Sequence, residues 1–312
     1  MMITTVTLNA AIDKTYYLDR FPLGKVSRVA HMTSFPGGKG INVARVARRL
    51  GGDTLATGFV GGHNGAYILQ ELAKQGIRHD FVQIEEESRI CLNIIDRSDG
   101  TSTEVLEPGP TITSGQAETM KRKIRELASR SGIVAFSGSL PKGLPATFYA
   151  ELIDIAKSEG ALAFLDTSGE ALAAGVRSLP FFIKPNEDEM AQLLGKPVER
   201  ESDLYGGIRR LMDSGIDCIV VSLGEKGAVA GFQGRLYRVI APRVEAVNTV
   251  GCGDSFVAGM AVAMSQKRPF EECLRLAAAA GSANALTEEA GNVRPEDVQR
   301  LSEQVRIEPI EA

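Results

Sequence analysis

Between Ile216 and Gly224 the chain reads IDCIVVSLG, an apolar run with no charge after Asp217. A strand with one wet face alternates apolar and polar residues. An unbroken run suits a strand in a sheet covered on both faces, with helices above and below.

The rest of the sequence supplies such a sheet and its covering helices in alternation. MITTVTLN (2–9) is a β-branched run that reads as a buried first strand. GINVARVARRLGG (40–52) places Ile41, Val43, Ala44, Val46, Ala47 and Leu50 at helical spacing and stops at a glycine pair. DTLATGFVGG, GIVAFSGS, ALAFLDTSG and FFIKPN read as further strands, and GAYILQELAKQGI, ATFYAELIDIAKSEG and EDEMAQLL as helices. Strands alternating with helices predict an α/β fold whose central, mostly parallel β-sheet is flanked by helices on both faces. After Asn248 the chain reads as predominantly helical to its end.

Two stretches break the alternation. Residues 14–35 and 88–108 read as β-hairpins with no helix between their halves, and RSDG (97–100) is the expected turn of the second. They predict a small second β-sheet, a lid of 14–35 and 88–108, on an α/β core of 1–13, 36–87 and 109–312. Decoration of the sheet edge is an equal reading on spacing alone.

Composition removes several classes of function. A formal net charge of -4 gives no general basic surface, so no nucleic-acid partner is expected. Cys91, Cys218, Cys252 and Cys273 lie far apart, without metal-ligand spacing, and read as reduced thiols. His31, His63 and His79 are isolated. No basic flank and apolar core of a signal peptide is present, and no apolar run approaches the ~20 residues of a membrane span. A cytoplasmic protein with no membrane contact is expected.

In a parallel α/β sheet ligands bind beyond the C-terminal ends of the strands. The glycine-rich or polar turns PGGKGIN, FVGGHNG, FSGSLPKG, IKPNEDE, VSLGEKGA and NTVGCGD all follow strand-like runs or open helical ones. Lys39 is followed by Gly40 and Ile41, so a Walker A loop is excluded; TLNAAID holds no glycine, which excludes a first-strand dinucleotide fingerprint. VGCGD remains. Glycines leading into a helix leave backbone N–H groups at the positive end of its dipole, a cradle for an anion. Asp254 beside that cradle suits proton abstraction from an attacking hydroxyl. It equally suits an N-cap.

NTVGCGDSFVAG (248–259) resembles the C-terminal signature of the ribokinase-like sugar kinases, the phosphofructokinase B family. PGGKGINVAR (36–45) is similar to that family's N-terminal glycine signature, with IKPN and VSLGEKGA between the two. The resemblance runs from Met2 to the C-terminal helices. It implies an ATP-dependent carbohydrate kinase of ribokinase-like fold that uses Mg²⁺, acts on a small sugar and forms a homodimer through its lid. It implies that Asp254 is the catalytic base, with Gly251, Cys252 and Gly253 as the anion hole. It places Asp13, Gly38 and Asn42 on the sugar hydroxyls, and Asn186 and Glu189 on Mg²⁺ through waters, the opening of a helix being the alternative role of that pair. Lys184 falls near the nucleotide phosphates, Ser222, Gly224 and Gly227 in the nucleotide site, and Asn284 near the adenine.

A substrate that already carries a phosphate needs fixed cations. Lys25, Arg28, Lys39 and Arg89 fall in the hairpins or the glycine turn, with Ser137 and Ser139 in SGSLPKG. As a set they favour a sugar phosphate over free ribose. TEVLEPGP, SGSLPKGL and FLDTSGEAL resemble the branch that phosphorylates tagatose 6-phosphate or fructose 1-phosphate, and TEVLEPGP with RICLNI lies nearer the tagatose type. The expectation is therefore conversion of a ketohexose monophosphate to its bisphosphate, with tagatose 6-phosphate ahead of fructose 1-phosphate. A non-catalytic sugar-phosphate sensor and a nicotinamide-dependent oxidoreductase are the rival readings. Two departures from the family pattern stand out. Asn248 occupies a position where many members carry an aspartate tied to a monovalent cation. Cys252 replaces alanine or serine, and at a helix start its thiol is expected to have a low pKa and to be oxidisable.

Overall fold

The computed structural model describes residues 1–311. The chain opens with β1 (Ile3–Thr7) and then leaves the main body as a hairpin, β2 (Ala11–Leu18) and β3 (His31–Gly37). It returns through α1 (Lys39–Arg49), β4 (Thr54–Gly61), α2 (Gly62–Lys74) and the short β5 (Arg78–His79) and β6 (Val82–Ile84). A second excursion forms β7 (Arg89–Asp96) and β8 (Thr101–Leu106). Next come α3 (Ser114–Ala128), β9 (Ile133–Ser137), α4 (Phe148–Ser158), β10 (Leu162–Asp166) and α5 (Gly169–Val176). They are followed by β11 (Phe182–Ile183), α6 (Glu187–Leu194), α7 (Glu201–Asp213) and β12 (Cys218–Ser222). The chain closes with β13 (Ala228–Phe232), β14 (Arg235–Ile240), α8 (Cys252–Ser265), α9 (Phe270–Asn284), α10 (Pro295–Ser302) and β15 (Arg306–Ile310).

The large sheet runs β15-β14-β13-β12-β11-β10-β9-β1-β4-β5, with β6 also on β4. It is parallel from β5 to β12 and antiparallel from β12 to β15. The apolar run at β12 explains the layering. Cys218 and Val220 join a core with residues of α1, α8, α9 and α10, whereas Ile219 and Val221 join one with residues of α3, α4 and α7. Alternate side chains thus point into two separate cores, and no position from Cys218 to Val221 is left for a polar residue. Each such aliphatic side chain contributes about 1.5–3 kcal/mol by leaving water.

Helix α8 is buried all round, including Phe256, Val257, Met260, Ala261 and Val262. At Gly259 an added Cβ would lie 2.7 Å from Ala277 Cα, so glycine allows α9 to pack closely. A helix gripped in this way gives its first turn a fixed position.

The two hairpins form the small sheet, in the order β3-β2-β7-β8. β2 and β7 pair in parallel from Ala11↔Arg89 to Leu18↔Asp96, joining the hairpins side by side. The RSDG turn closes with Gly100 N–H on the Asp96 carbonyl, 2.9 Å. The strands reach Ala11 and Gly37, beyond the expected limits of 14 and 35, so Asp13 stands on the small sheet. One expectation fails: the chain does not stay helical to its end. β15 pairs antiparallel with β14, and its RIEPI sequence, only part-buried on an edge, carries too weak an alternation to announce a strand.

Candidate active site

Helices α1 and α8 both begin at the C-terminal edge of the large sheet, and both do so without a side-chain cap. Their N-caps are Gly38 and Gly251, so no side chain takes the first-turn N–H groups that an anion could use, although Cys252 N–H donates to the Thr249 carbonyl at 3.3 Å. Gly251 has φ 84, and a Cβ there would lie 2.4 Å from Gly291 N, so glycine is required both by conformation and by space. Asp254 does not take the N-cap position that was its alternative. It is the third residue of α8, not its N-cap, and its Oδ2 accepts from Asn42 Nδ2 at 2.8 Å.

These helix starts border a cleft of about 500 Å³ between the two sheets. Asp13, Gly38, Lys39, Asn42, Arg89, Ser137, Ser139, Lys184, Gly251, Gly253 and Asp254 all line it, although they come from widely separated parts of the chain. Asp254 is buried, and burial is the main reason its pKa rises to about 6; Lys39 and the Asn42 hydrogen bond pull the other way, while Asp166 adds to the rise. Asp13 lines the same cleft from β2. Burial likewise raises its pKa to about 6, against the opposing charges of Arg45 and Arg89 and a hydrogen bond from Gly38 N–H. A carboxylate poised near neutrality can take up a proton from a hydroxyl at working pH.

Lys39 Nζ stands 3.7 Å from Asp166 Oδ2 and Lys184 Nζ 3.4 Å from Asp166 Oδ1. On the small-sheet side Arg89 donates to the carbonyls of Asn9 (3.3 Å) and Glu107 (3.2 Å), and Asn9 Nδ2 donates to Ser139 Oγ at 3.3 Å. Among the described residues, buried Thr7 Oγ1, Asn9 Oδ1, Ser137 Oγ and Asp166 Oδ2 lack a hydrogen-bond partner, and all four residues line the cleft. Such a polar floor suits a hydroxyl-rich ligand.

Other expected residues lie elsewhere. Asn186 and Glu189 form a capping box at the start of α6: Glu189 N–H donates to Asn186 Oδ1 (2.8 Å) and Asn186 N–H to Glu189 Oε2 (2.9 Å). Asn186 also bridges to Ser222. Gly224 and Gly227 follow in the turn between β12 and β13, off the cleft lining. Lys25 and Arg28 are exposed in the β2–β3 connection and do not line the cleft. The FVGGHNG turn has its helix start occupied by Glu87, which accepts from His63 and Asn64 N–H, both at 2.9 Å.

Two expectations are corrected. Asn284 is fully buried, and its amide is spent internally: Nδ2 donates to the Val250 carbonyl (2.8 Å) and towards Cys252 Sγ (3.5 Å), and Oδ1 accepts from Ser255 Oγ and Asn292 N–H. It clamps the loop before α8 and offers nothing to an adenine. Cys252 points to that clamp, and burial raises its thiol pKa, opposite to the low value expected.

Sequence reasoning missed Asp166 and Arg45. Arg45 is almost fully buried and donates to Asn42 Oδ1 (3.1 Å), the Ala290 carbonyl (3.1 Å) and Gln75 Oε1 (2.9 Å). Its signal was a charge on the apolar stripe of α1, one turn after Asn42. That of Asp166 was a carboxylate ending a buried strand. Asn248 uses its amide on both sides, accepting from Val250 N–H (2.9 Å) and donating to the Glu288 carbonyl (2.8 Å).

The family description "pfkB family carbohydrate kinase" matches residues 6–297. The chain belongs to that family. It is a sugar kinase, transferring phosphate to an alcohol, and kinases of this family use ATP. It is 38% identical to tagatose-6-phosphate kinase of Staphylococcus epidermidis over 309 residues, 98% of this chain and 99% of that one. Phosphofructokinase-2 of Escherichia coli in complex with fructose-6-phosphate superposes with a TM-score of 0.91 at 28% identity, covering 97% of this chain and 98% of the other. Ribokinase of Arabidopsis thaliana, complexed with ribose and ATP, gives 0.80 at 25% identity over 96% and 98%. The fold is ribokinase-like.

Proposed function

We propose that this kinase uses ATP to phosphorylate a ketohexose monophosphate, with tagatose 6-phosphate as substrate and tagatose 1,6-bisphosphate as product. The observation that carries the reading is the full-length 38% identity to a tagatose-6-phosphate kinase, with the cleft's chemistry in agreement. Asp13 and Asn42 hold sugar hydroxyls, and Arg89 with Ser139 and Lys39 meets the phosphate the sugar brings. The sugar oxygen attacks the γ-phosphorus of ATP, the bond to ADP breaks, and the hydroxyl proton passes to Asp254. N–H groups of Gly251, Cys252 and Gly253 hold the developing charge. Lys184 approaches the nucleotide phosphates, and Ser222, Gly224 and Gly227 flank the nucleotide.

Asn186 and Glu189 fit Mg²⁺: both offer hard oxygen donors, and the capping box uses only one Glu189 oxygen. Held through waters, the ion supplies charge neutralisation on the phosphates when bound. The small sheet acts as a lid over the cleft. Leu23, Val26, Met32 and Leu106 leave much apolar area exposed there, which favours a homodimer through the lid. Lys25 and Arg28 reach a sugar phosphate only by lid closure or across such a dimer. Among the described residues no helix is long and apolar enough to cross a membrane, and a cytoplasmic location is proposed.

The test is ADP release with Mg·ATP and tagatose 6-phosphate, fructose 1-phosphate, fructose 6-phosphate or ribose. The expected result is the highest kcat/KM with tagatose 6-phosphate. A clear preference for fructose 1-phosphate would replace the substrate, and binding without turnover of any sugar would favour the sensor.

A further inference from the structure

We infer that Asp166, at the end of β10, is the positioning residue of the transfer site: it tethers the ammonium groups of Lys39 and Lys184 to one buried carboxylate and sets the charge that Asp254 meets. The proposal rests on the kinase reading above and adds to it a residue and a task.

Asp166 is 3% exposed, and the two lysines reach it from separate parts of the chain, Lys39 from α1 and Lys184 from the segment just after β11. Two ammonium groups converging on one cleft repel each other unless a carboxylate lies between them. Conversely, an aspartate this deep is tolerated only when paired. The pairing is uneven. Lys184 is nearly buried and lies against Gly253, where an added Cβ would stand 3.1 Å from Nζ. Lys39 is half-exposed, and its partner atom Asp166 Oδ2 receives no hydrogen bond from the described residues. Its hold is ionic and loose, leaving the Lys39 donors free to turn to a phosphoryl oxygen while the side chain stays aimed at the cleft. The group of three carries one net positive charge, placed beside the anion-binding start of α8.

Asp254 is the residue through which Asp166 is felt. The groups that face it are Asn42, Lys39 and Arg45 from α1, Asp166 from β10 and Lys184 from just after β11. Lys39 in turn faces Asp166, Asp254 and Glu189, with Asp166 the largest cause of its raised pKa. In Asp166 itself burial pushes the pKa up, but the two lysines outweigh it and the carboxyl stays ionised. Removing its charge unmasks both ammonium groups and also removes a repulsion from Asp254. Both effects lower the Asp254 pKa.

The experiment uses two variants with opposite expected signs. In Asp166→Asn, kcat for Mg·ATP and tagatose 6-phosphate should fall about 10–100-fold, and the acid limb of the kcat/KM profile should move to lower pH. In Lys39→Met, which removes a positive neighbour of Asp254, the limb should move to higher pH. Comparison with wild type on the same substrate cancels the titration of the sugar phosphate. A third readout needs no turnover: mass-spectrometric tracking of Lys39 trinitrophenylation by trinitrobenzenesulfonate at pH 8, in which the free amine displaces sulfite from the ring. Labelling should be about threefold faster in Asp166→Asn, because losing the neighbouring carboxylate lowers the ammonium pKa and exposes more free amine. Unmoved limbs, or limbs that move in the same direction, overturn the proposal; so does unchanged Lys39 labelling. If wild type turns over none of the sugars, the kinase reading fails and labelling alone decides Asp166. If Asp166→Asn does not fold, the Lys39→Met limb decides.

Discussion

Replacing Asp254 by asparagine removes a charge that the folded chain holds at a cost in stability. Its pKa lies near 6 in the folded protein, against about 3.8 for an ordinary aspartate, chiefly through burial at the first turn of α8. A folded value above the unfolded one means that the native state binds the proton more tightly. Stability from this group is therefore fully present below about pH 3.8 and lost as pH rises through 6. At 1.36 kcal/mol per unit the loss is about 3 kcal/mol at pH 8 and about 1.6 kcal/mol at pH 5. Asparagine keeps an oxygen for Asn42 Nδ2 and cannot ionise, so Asp254→Asn should regain those amounts. For a chain of this size the gain is about 5 °C in Tm at pH 8 and about half of that at pH 5. Differential scanning calorimetry at the two pH values reads it directly. The same preparation should lose about 10²–10⁴ in ADP-release rate while Mg·ATP still raises its Tm. A Tm at pH 8 equal to or below that of wild type, or a gain that ignores pH, would refute the reasoning.

Gly253→Ala puts a Cβ 3.1 Å from Lys184 Nζ, so kcat should fall about tenfold with little change in Tm, as steady-state kinetics and a thermal melt will show. Asn248→Asp replaces the donor to the Glu288 carbonyl by a carboxylate facing that oxygen, which should cost about 1–3 kcal/mol. Thermal melts should show potassium restoring that loss, with wild type indifferent to potassium or tetramethylammonium; equal responses of the two proteins would remove the idea. Burial raises the Cys252 thiol, so iodoacetamide at pH 7.5 should alkylate it at least about tenfold more slowly than a free thiol, measured by mass spectrometry, and mild peroxide should leave activity unchanged.

The large sheet was legible because its strands and helices carry their own signals. The apolar run at β12 demands cover on both faces, and α1 ends at a glycine pair. β15 was not legible, because an edge strand half in water needs no continuous apolar face and is held by its ladder to β14. The antiparallel turn from β12 to β13 escaped for a related reason. Strand direction depends on connection length in space, and the short VSLGEKGA segment reads equally well as a ligand-binding turn.

At the site, what could be read is what the backbone carries. Asn186 and Asp254 pose the same puzzle in sequence, a short polar side chain near the start of an apolar helix, and both readings were open for each. The structure puts a different kind of residue at the N-cap of each helix. Asn186 occupies that position itself, so its side chain and that of Glu189 saturate the start of α6. At α8 the cap is Gly251, which has no side chain to offer, so no cap side chain takes the first-turn N–H groups and Asp254 sits two residues inside the helix with its carboxylate turned to Asn42. A glycine at that one position converts a helix start from a closed structural joint into an anion cradle with a carboxylate beside it. Asp166 and Arg45 could not be read in this way, because their partners lie on other elements: Lys39 and Lys184 meet Asp166 only once β10, α1 and β11 have been brought to one edge. Backbone geometry therefore fixes where a phosphoryl group can be received, and tertiary pairing fixes the charge it meets there.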